Sequence, residues 1–219
     1  MEKKMKFFVV ALAVAFTTSA MAQLSIGPRA AVNFSNAAFD SDEEVNSGNL
    51  LGFAFGAVAE IGISDMFAIQ PEVSFSQSGF VLKDEFELLG ESVDLNVRYN
   101  YLQIPLLAKL KFGSGPAVVN VFAGPHVGFG LGDIDFEAEL MGEKETDTQS
   151  WEDTGFSRFD FGVTGGVGVS FAAGPGKLGI DLRYQLGLNN ISDEDGDDDK
   201  ASNRNFQAGV SYLIPIGGK

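Results

Sequence analysis

From Leu178 to Leu188 the chain alternates without a slip: Leu178, Ile180, Leu182, Tyr184, Leu186 and Leu188 interleave with Gly179, Asp181, Arg183, Gln185 and Gly187. Successive side chains of a β-strand point to opposite faces, so this segment has one wholly apolar face and one polar, charged face. Its eleven residues also match the length a tilted strand needs to cross a bilayer. A soluble sandwich can use such a strand once, whereas a membrane barrel needs it all the way round.

Seven other segments repeat the pattern. Leu24–Phe34 sets Leu24, Ile26, Ala30, Val32 and Phe34 against Arg29 and Asn33, and Leu51–Ile61 sets Phe53, Phe55, Ala57 and Ala59 against Gly52, Gly56 and Glu60. Phe67–Gln77 opposes Phe67, Ile69, Val73 and Phe75 to Gln70, Glu72, Ser74 and Ser76. Val93–Phe112 carries Leu102, Ile104, Leu106, Ala108 and Leu110 against Gln103, Lys109 and Lys111. Its parity changes near Asn100, which predicts a β-bulge there. Val119–Phe129, Phe159–Phe171 and Phe206–Ile214 complete the set.

The connections alternate in kind. Short ones at 62–65, 113–116 and 172–176 are built from Gly, Pro, Ser and Asp, as tight turns require, and long ones fall at 35–49, 84–92, 131–155 and 189–205. Long and short in alternation put every short turn at one end, the organisation of outer-membrane barrels. The predicted fold is therefore all-β: an eight-stranded antiparallel up-and-down transmembrane β-barrel with short periplasmic turns and long acidic outer loops. The acidity is concentrated, for Leu131–Gly155 holds nine acids and one Lys.

The N-terminus agrees. Lys3, Lys4 and Lys6 precede an unbroken apolar run, Phe7–Phe16, and Ala20-Met21-Ala22 offers a small-x-small cleavage site. Residues 1–22 thus read as a cleaved secretory signal, with the barrel domain occupying 23–219. No later stretch is long and apolar enough for a transmembrane helix, so membrane residence has to be by strands. The chain has no cysteine, which excludes disulfides and thiol chemistry. Its formal charge of −15, less the +2 of the signal's three Lys and one Glu, leaves −17, which argues against nucleic acid as a partner.

The polar faces carry Arg29, Glu60, Glu72, Lys109, Lys111, Arg158, Asp160, Asp181 and Arg183, five positive and four negative groups. Converging in a lumen they can pair, as buried charges must. Eight strands leave an interior that side chains fill, so the expectation is a plugged barrel rather than an open pore.

Several stretches resemble the PorT-like family of small outer-membrane β-barrel proteins. They are Ile26-Gly-Pro-Arg-Ala-Ala-Val-Asn-Phe-Ser35, Tyr101-Leu-Gln-Ile-Pro-Leu-Leu-Ala-Lys109, Val121-Phe-Ala-Gly-Pro-His-Val-Gly128 and the strand ending in Leu182-Arg-Tyr184. The resemblance spans essentially the whole chain after the signal, but these are strand-packing motifs rather than a chemical signature. It implies an integral outer-membrane barrel, one relative being linked to protein secretion. The chain departs from the usual terminal aromatic of such barrels, since Tyr212 is followed by Leu-Ile-Pro-Ile-Gly-Gly-Lys219.

Catalytic chemistry finds little to work with. The single histidine, His126, falls on a lumen-facing position, so the reading is no catalytic residue and no enzyme. Asp193, Asp195, Asp197 and Asp199 lie in an acidic run that fails the EF-hand pattern because Gly196 comes too early; weak bridging of divalent cations such as Ca²⁺ is the most it predicts. The glycines of Gly162–Gly168 continue into a strand, not a helix, and so do not form a phosphate loop. Trp151, in the longest loop, reads as an anchor at the outer interface. The expected role is structural or interactive, through acidic loops, with membrane lipid, lipopolysaccharide, the barrel-assembly machinery and a secretion or envelope protein as partners. The alternative is an accessory part of a secretion or surface-assembly complex; a lipid-modifying barrel enzyme or a narrow channel ranks below both.

Overall fold

The computed structural model describes residues 24–40, 46–88, 91–113, 115–140, 143–192 and 200–216; the predicted signal and the run Asp193–Asp199 lie outside them. Nine strands form one antiparallel sheet: β1 (Leu24–Asp40), β2 (Ser47–Gly62), β3 (Phe67–Leu88), β4 (Glu91–Phe112), β5 (Ala117–Leu140), β6 (Glu143–Gln149), β7 (Phe159–Ala173), β8 (Gly176–Gly187) and β9 (Lys200–Ile216). Eight of them close a ring in the order β1-β2-β3-β4-β5-β7-β8-β9. The seam joins β1 to β9, from Leu24↔Ile216 to Asp40↔Lys200. β6 is an addition: it doubles back on the far end of β5, from Leu140↔Glu143 to Ile134↔Gln149. A one-turn helix, α1 (Trp151–Thr154), follows it.

The short connections from β2 to β3, β4 to β5 and β7 to β8 share one end of the ring with the start of β1 and the end of β9. Gly174 sits at φ 58, a conformation that costs a residue without Cβ little. At the opposite end the strands run on. Much of what reads as long loop is strand, including 35–40, 84–88, 131–140 and 200–205. In β5 the extension continues an alternation present in the sequence, Asp133, Asp135 and Glu137 against Ile134, Phe136 and Ala138, with Ile134 turned inward.

Around the middle of the barrel the outward residues are apolar and exposed: Val32 and Phe34 on β1, Phe53 and Phe55 on β2, Ile104 and Leu106 on β4, Val167 on β7, Ile180 and Leu182 on β8. Phe53, Phe55 and Phe75 stack into an aromatic cluster on this surface, with centroids 5.3–6.2 Å apart. A closed ring satisfies every ladder internally, which hydrocarbon demands.

The bulge expected in β4 at Asn100 is not there. Val93, Val97, Tyr99, Tyr101, Gln103 and Lys109 are all buried, one parity throughout. The irregularity is opposite, where the register steps from Arg98↔Asp135 to Asn100↔Leu131 and so leaves two extra residues in β5, next to Gly132 at φ 63. What changes near Asn100 is chemistry: toward the short turns the inward face of β4 brings in Gln103 and Lys109 beside Leu107, whereas at Tyr101 and beyond its inward residues are Tyr and Val.

Candidate functional site

The lumen is the candidate site, and it is filled in three layers. Nearest the short turns is an ionic layer. Arg29 on β1 forks onto Asp181 on β8, with Nη2 2.7 Å from Oδ1 and Nε 3.2 Å from Oδ2. Arg183 on the same strand donates from Nε to Asp181 (2.8 Å) and from Nη1 to Glu72 of β3 (2.9 Å), its guanidinium lying 5.1 Å from the centre of the Phe122 ring. Gln70 donates to Glu72 (2.6 Å) and accepts from Lys109 of β4 (2.9 Å), whose ammonium also reaches Glu60 of β2 (2.8 Å). Lys111 closes the chain 3.6 Å from Glu60. Parity makes this possible: strands from all round the ring point alternate residues at one small interior.

Above it lies an amide and imidazole layer. Gln185 donates to Gln103 (3.1 Å) and accepts from Asn205 (3.1 Å) and Gln207 (3.0 Å). His126 bridges Asp160 (3.3 Å) and the Thr164 hydroxyl (3.0 Å), while Asn203 donates to the other Asp160 oxygen (2.9 Å). Acid, imidazole and hydroxyl thus stand in line, each at most 2 % exposed. The adjoining cavity measures about 10 Å³, the space of a single water.

The third layer is aromatic. Phe80, Tyr99, Tyr101, Ile134 and Trp151 are buried together, with Phe39, Leu82, Phe136 and Phe156 packed against them. Trp151 stands 5.8 Å from Tyr99 and 5.6 Å from Tyr101, ring centre to ring centre. The Tyr99 hydroxyl donates to Asn203 (2.6 Å), which ties the aromatic layer to the amides below. Burial, then the nearby Tyr101 phenol and Asp160 carboxylate, push the Tyr99 phenol well above its ordinary range, so it donates as a neutral group.

Of the nine charged residues expected in the lumen, seven form the ionic layer (Arg29, Glu60, Glu72, Lys109, Lys111, Asp181, Arg183), and Asp160 pairs with His126 above them. Arg158 is a correction. It precedes the first residue of β7, so strand parity does not extend to it; its side chain is 41 % exposed and reaches Glu152 at 3.6 Å. Trp151 is a second: at 3 % exposure it is no interfacial anchor but the centre of the aromatic layer, carried inward by α1. Gln185, Gln103 and Asn205 were missed as members of the network, although their inward parity marks them. Asp193, Asp195, Asp197 and Asp199 lie outside the described residues. Among the described residues no group of three or more His, Asp or Glu could hold a metal ion, and no helix is long and apolar enough to cross a membrane.

A ring of eight antiparallel strands with an apolar outer belt and a charged interior defines a membrane β-barrel. Residues 17–193 match the family described as outer membrane protein beta-barrel domain, and the chain belongs to that family. No curated protein matches the sequence. Among solved structures, Neisserial surface protein A is similar at 16 % identity and a TM-score of 0.45, over 86 % of this chain and 96 % of that one. Ail, the attachment invasion locus protein of Yersinia pestis, is similar at 14 % and 0.44, over 89 % and 100 %. OprG of Pseudomonas aeruginosa is similar at 11 % and 0.46, over 89 % and 97 %.

Proposed function

We propose that this outer-membrane barrel is a PorT-like, non-enzymatic protein with a plugged lumen, whose work is structural or interactive and is done by its acidic outer rim. One observation carries the reading: among the described residues the lumen is occupied at three successive levels, and the cavities left in its ionic and amide layers measure about 30 and 10 Å³. Neither a conducting path nor a substrate pocket fits such an interior, and His126 has no space beside it for an acyl chain. The surface left for recognition is the outer end, where β6 is exposed from Lys144 to Gln149 and carries Glu145 and Asp147.

On this reading the signal 1–22 is cleaved, the outer belt meets membrane lipid and lipopolysaccharide, and the assembly machinery recognises a strand ending beyond Tyr212. Divalent cations bridge the acidic loops weakly. The alternative keeps the same barrel as an accessory of a secretion or surface-assembly complex, which the resemblance of the strand motifs favours. Affinity purification from gently solubilised outer membranes separates the two. A stoichiometric envelope or secretion protein at the rim supports the accessory role, and a barrel recovered alone supports the free-standing one. Steady conductance in planar bilayers, or lipid turnover lost in His126→Ala, would refute both.

A further inference from the structure

The ionic layer encloses the larger cavity, about 30 Å³, toward the short-turn end. Roughly 10–15 Å³ of such space accommodates a water, so there is room for two waters or for one ion of halide size. Four cations line it, Arg29, Lys109, Lys177 and Arg183, against two carboxylates, Glu60 and Asp181. Among the described residues that is an excess of two positive charges. The next neighbours do not remove it, because Lys111, 3.6 Å from Glu60, offsets Glu72, 2.9 Å from Arg183. Lys177 stands exposed at the mouth, which leaves one of these charges inside the hydrocarbon-walled barrel, where uncompensated charge is strongly disfavoured.

A second observation is independent of charge. Asn120 of β5 lines the same cavity at 4 % exposure, and its carboxamide makes no hydrogen bond among the described residues. Buried amides are nearly always paired, and one left open toward a cavity is waiting for a partner. Its N–H₂ group offers two donors into a space already biased toward negative charge. Two waters would satisfy the amide but leave the charge where it is.

We propose that this cavity is a binding site for one small monovalent anion of chloride size, held by the Asn120 amide and countered by Arg29, Lys109 and Lys177. Lys177 is exposed beside the short turn at 174–175, so the ion enters from the periplasmic end. The bound ion would complete the chain of ion pairs as a resident counter-ion.

The test uses the purified full barrel in detergent, melted in sodium chloride and in sodium gluconate at equal ionic strength. The expected result is a midpoint several degrees higher in chloride, saturating with concentration as binding to the folded state requires. Crystals grown in bromide should show one anomalous peak beside Asn120. Asn120→Asp, nearly isosteric, places a carboxylate where the ion sits, and its melting should no longer respond to chloride. Lys177→Met, at the exposed mouth, should weaken chloride binding several-fold without unfolding the barrel. Equal midpoints in the two salts with no bromide peak would overturn the proposal. So would a chloride response that survives unchanged in Asn120→Asp, which would mark a general salt effect.

Discussion

The two halves of the barrel follow opposite rules of burial. Toward the short turns the interior is Arg29, Glu72, Lys109, Asp181 and Arg183, and the exterior is Val, Leu, Ile and Phe. Beyond Asn100 the interior becomes Phe80, Val97, Tyr99, Tyr101, Ile134 and Trp151, while Asn49, Lys83 and Asp94 face out. The strands and their parity are continuous through the change; only the medium outside differs. In lipid an apolar exterior is solvated and gains nothing by burial, so the lumen takes the polar groups. In water the hydrophobic effect returns, at about 1.5–3 kcal/mol for each large side chain fully buried. Buried ion pairs, by contrast, come close to breaking even against desolvation. The aromatic half is therefore the stabilising one, and the ionic half specifies a single packing.

That contrast can be broken from either side. The largest effect is expected at Asp181→Leu, which strands Arg29 and Arg183 without their shared carboxylate and should cost about 3–5 kcal/mol in reversible unfolding from micelles. Replacing Arg29, Asp181, Arg183 and Glu72, the other carboxylate on Arg183, by apolar residues of similar volume should restore most of the loss, because the cost lies in the unpaired charge. Trp151→Ala should remove about 3 kcal/mol from the outer half alone, visible as faster hydrogen exchange around 131–158. Bilayers carrying that variant should stay electrically silent, since the ionic layer still fills the lumen.

Placing an arginine on the lipid side sharpens the boundary. Leu182→Arg, in the apolar belt, should cost about 2–4 kcal/mol, whereas Asn96→Arg, outward on the water-side extension of β4, should stay within about 0.5 kcal/mol. The smallest change is Tyr99→Phe, which deletes the 2.6 Å bond to Asn203 and should cost about 1 kcal/mol in the same unfolding assay.

The membrane half was legible residue by residue. Alternation from Leu178 to Leu188 alone sets Asp181, Arg183 and Gln185 inward, and the same parity brings Arg29, Glu60, Glu72 and Lys109 to meet them. Which acid pairs with which base was not legible, because register between strands depends on turns and bulges such as the one at Gly132. The outer half was misread for a single reason. A change of solvent inverts the polarity of a strand as surely as a bulge does, so Tyr99 and Tyr101 looked like a slip in β4. Trp151 lies beyond any periodic pattern, and its burial follows from where β6 and α1 return the chain.

Trp151 is also the molecule's only tryptophan. The barrel thus carries its own optical reporter, placed in the one layer that can loosen while the membrane ring stays shut. A red shift in its emission with unchanged far-ultraviolet dichroism would mean that the stopper has opened. The two signals falling together would mean that the whole ring has come apart.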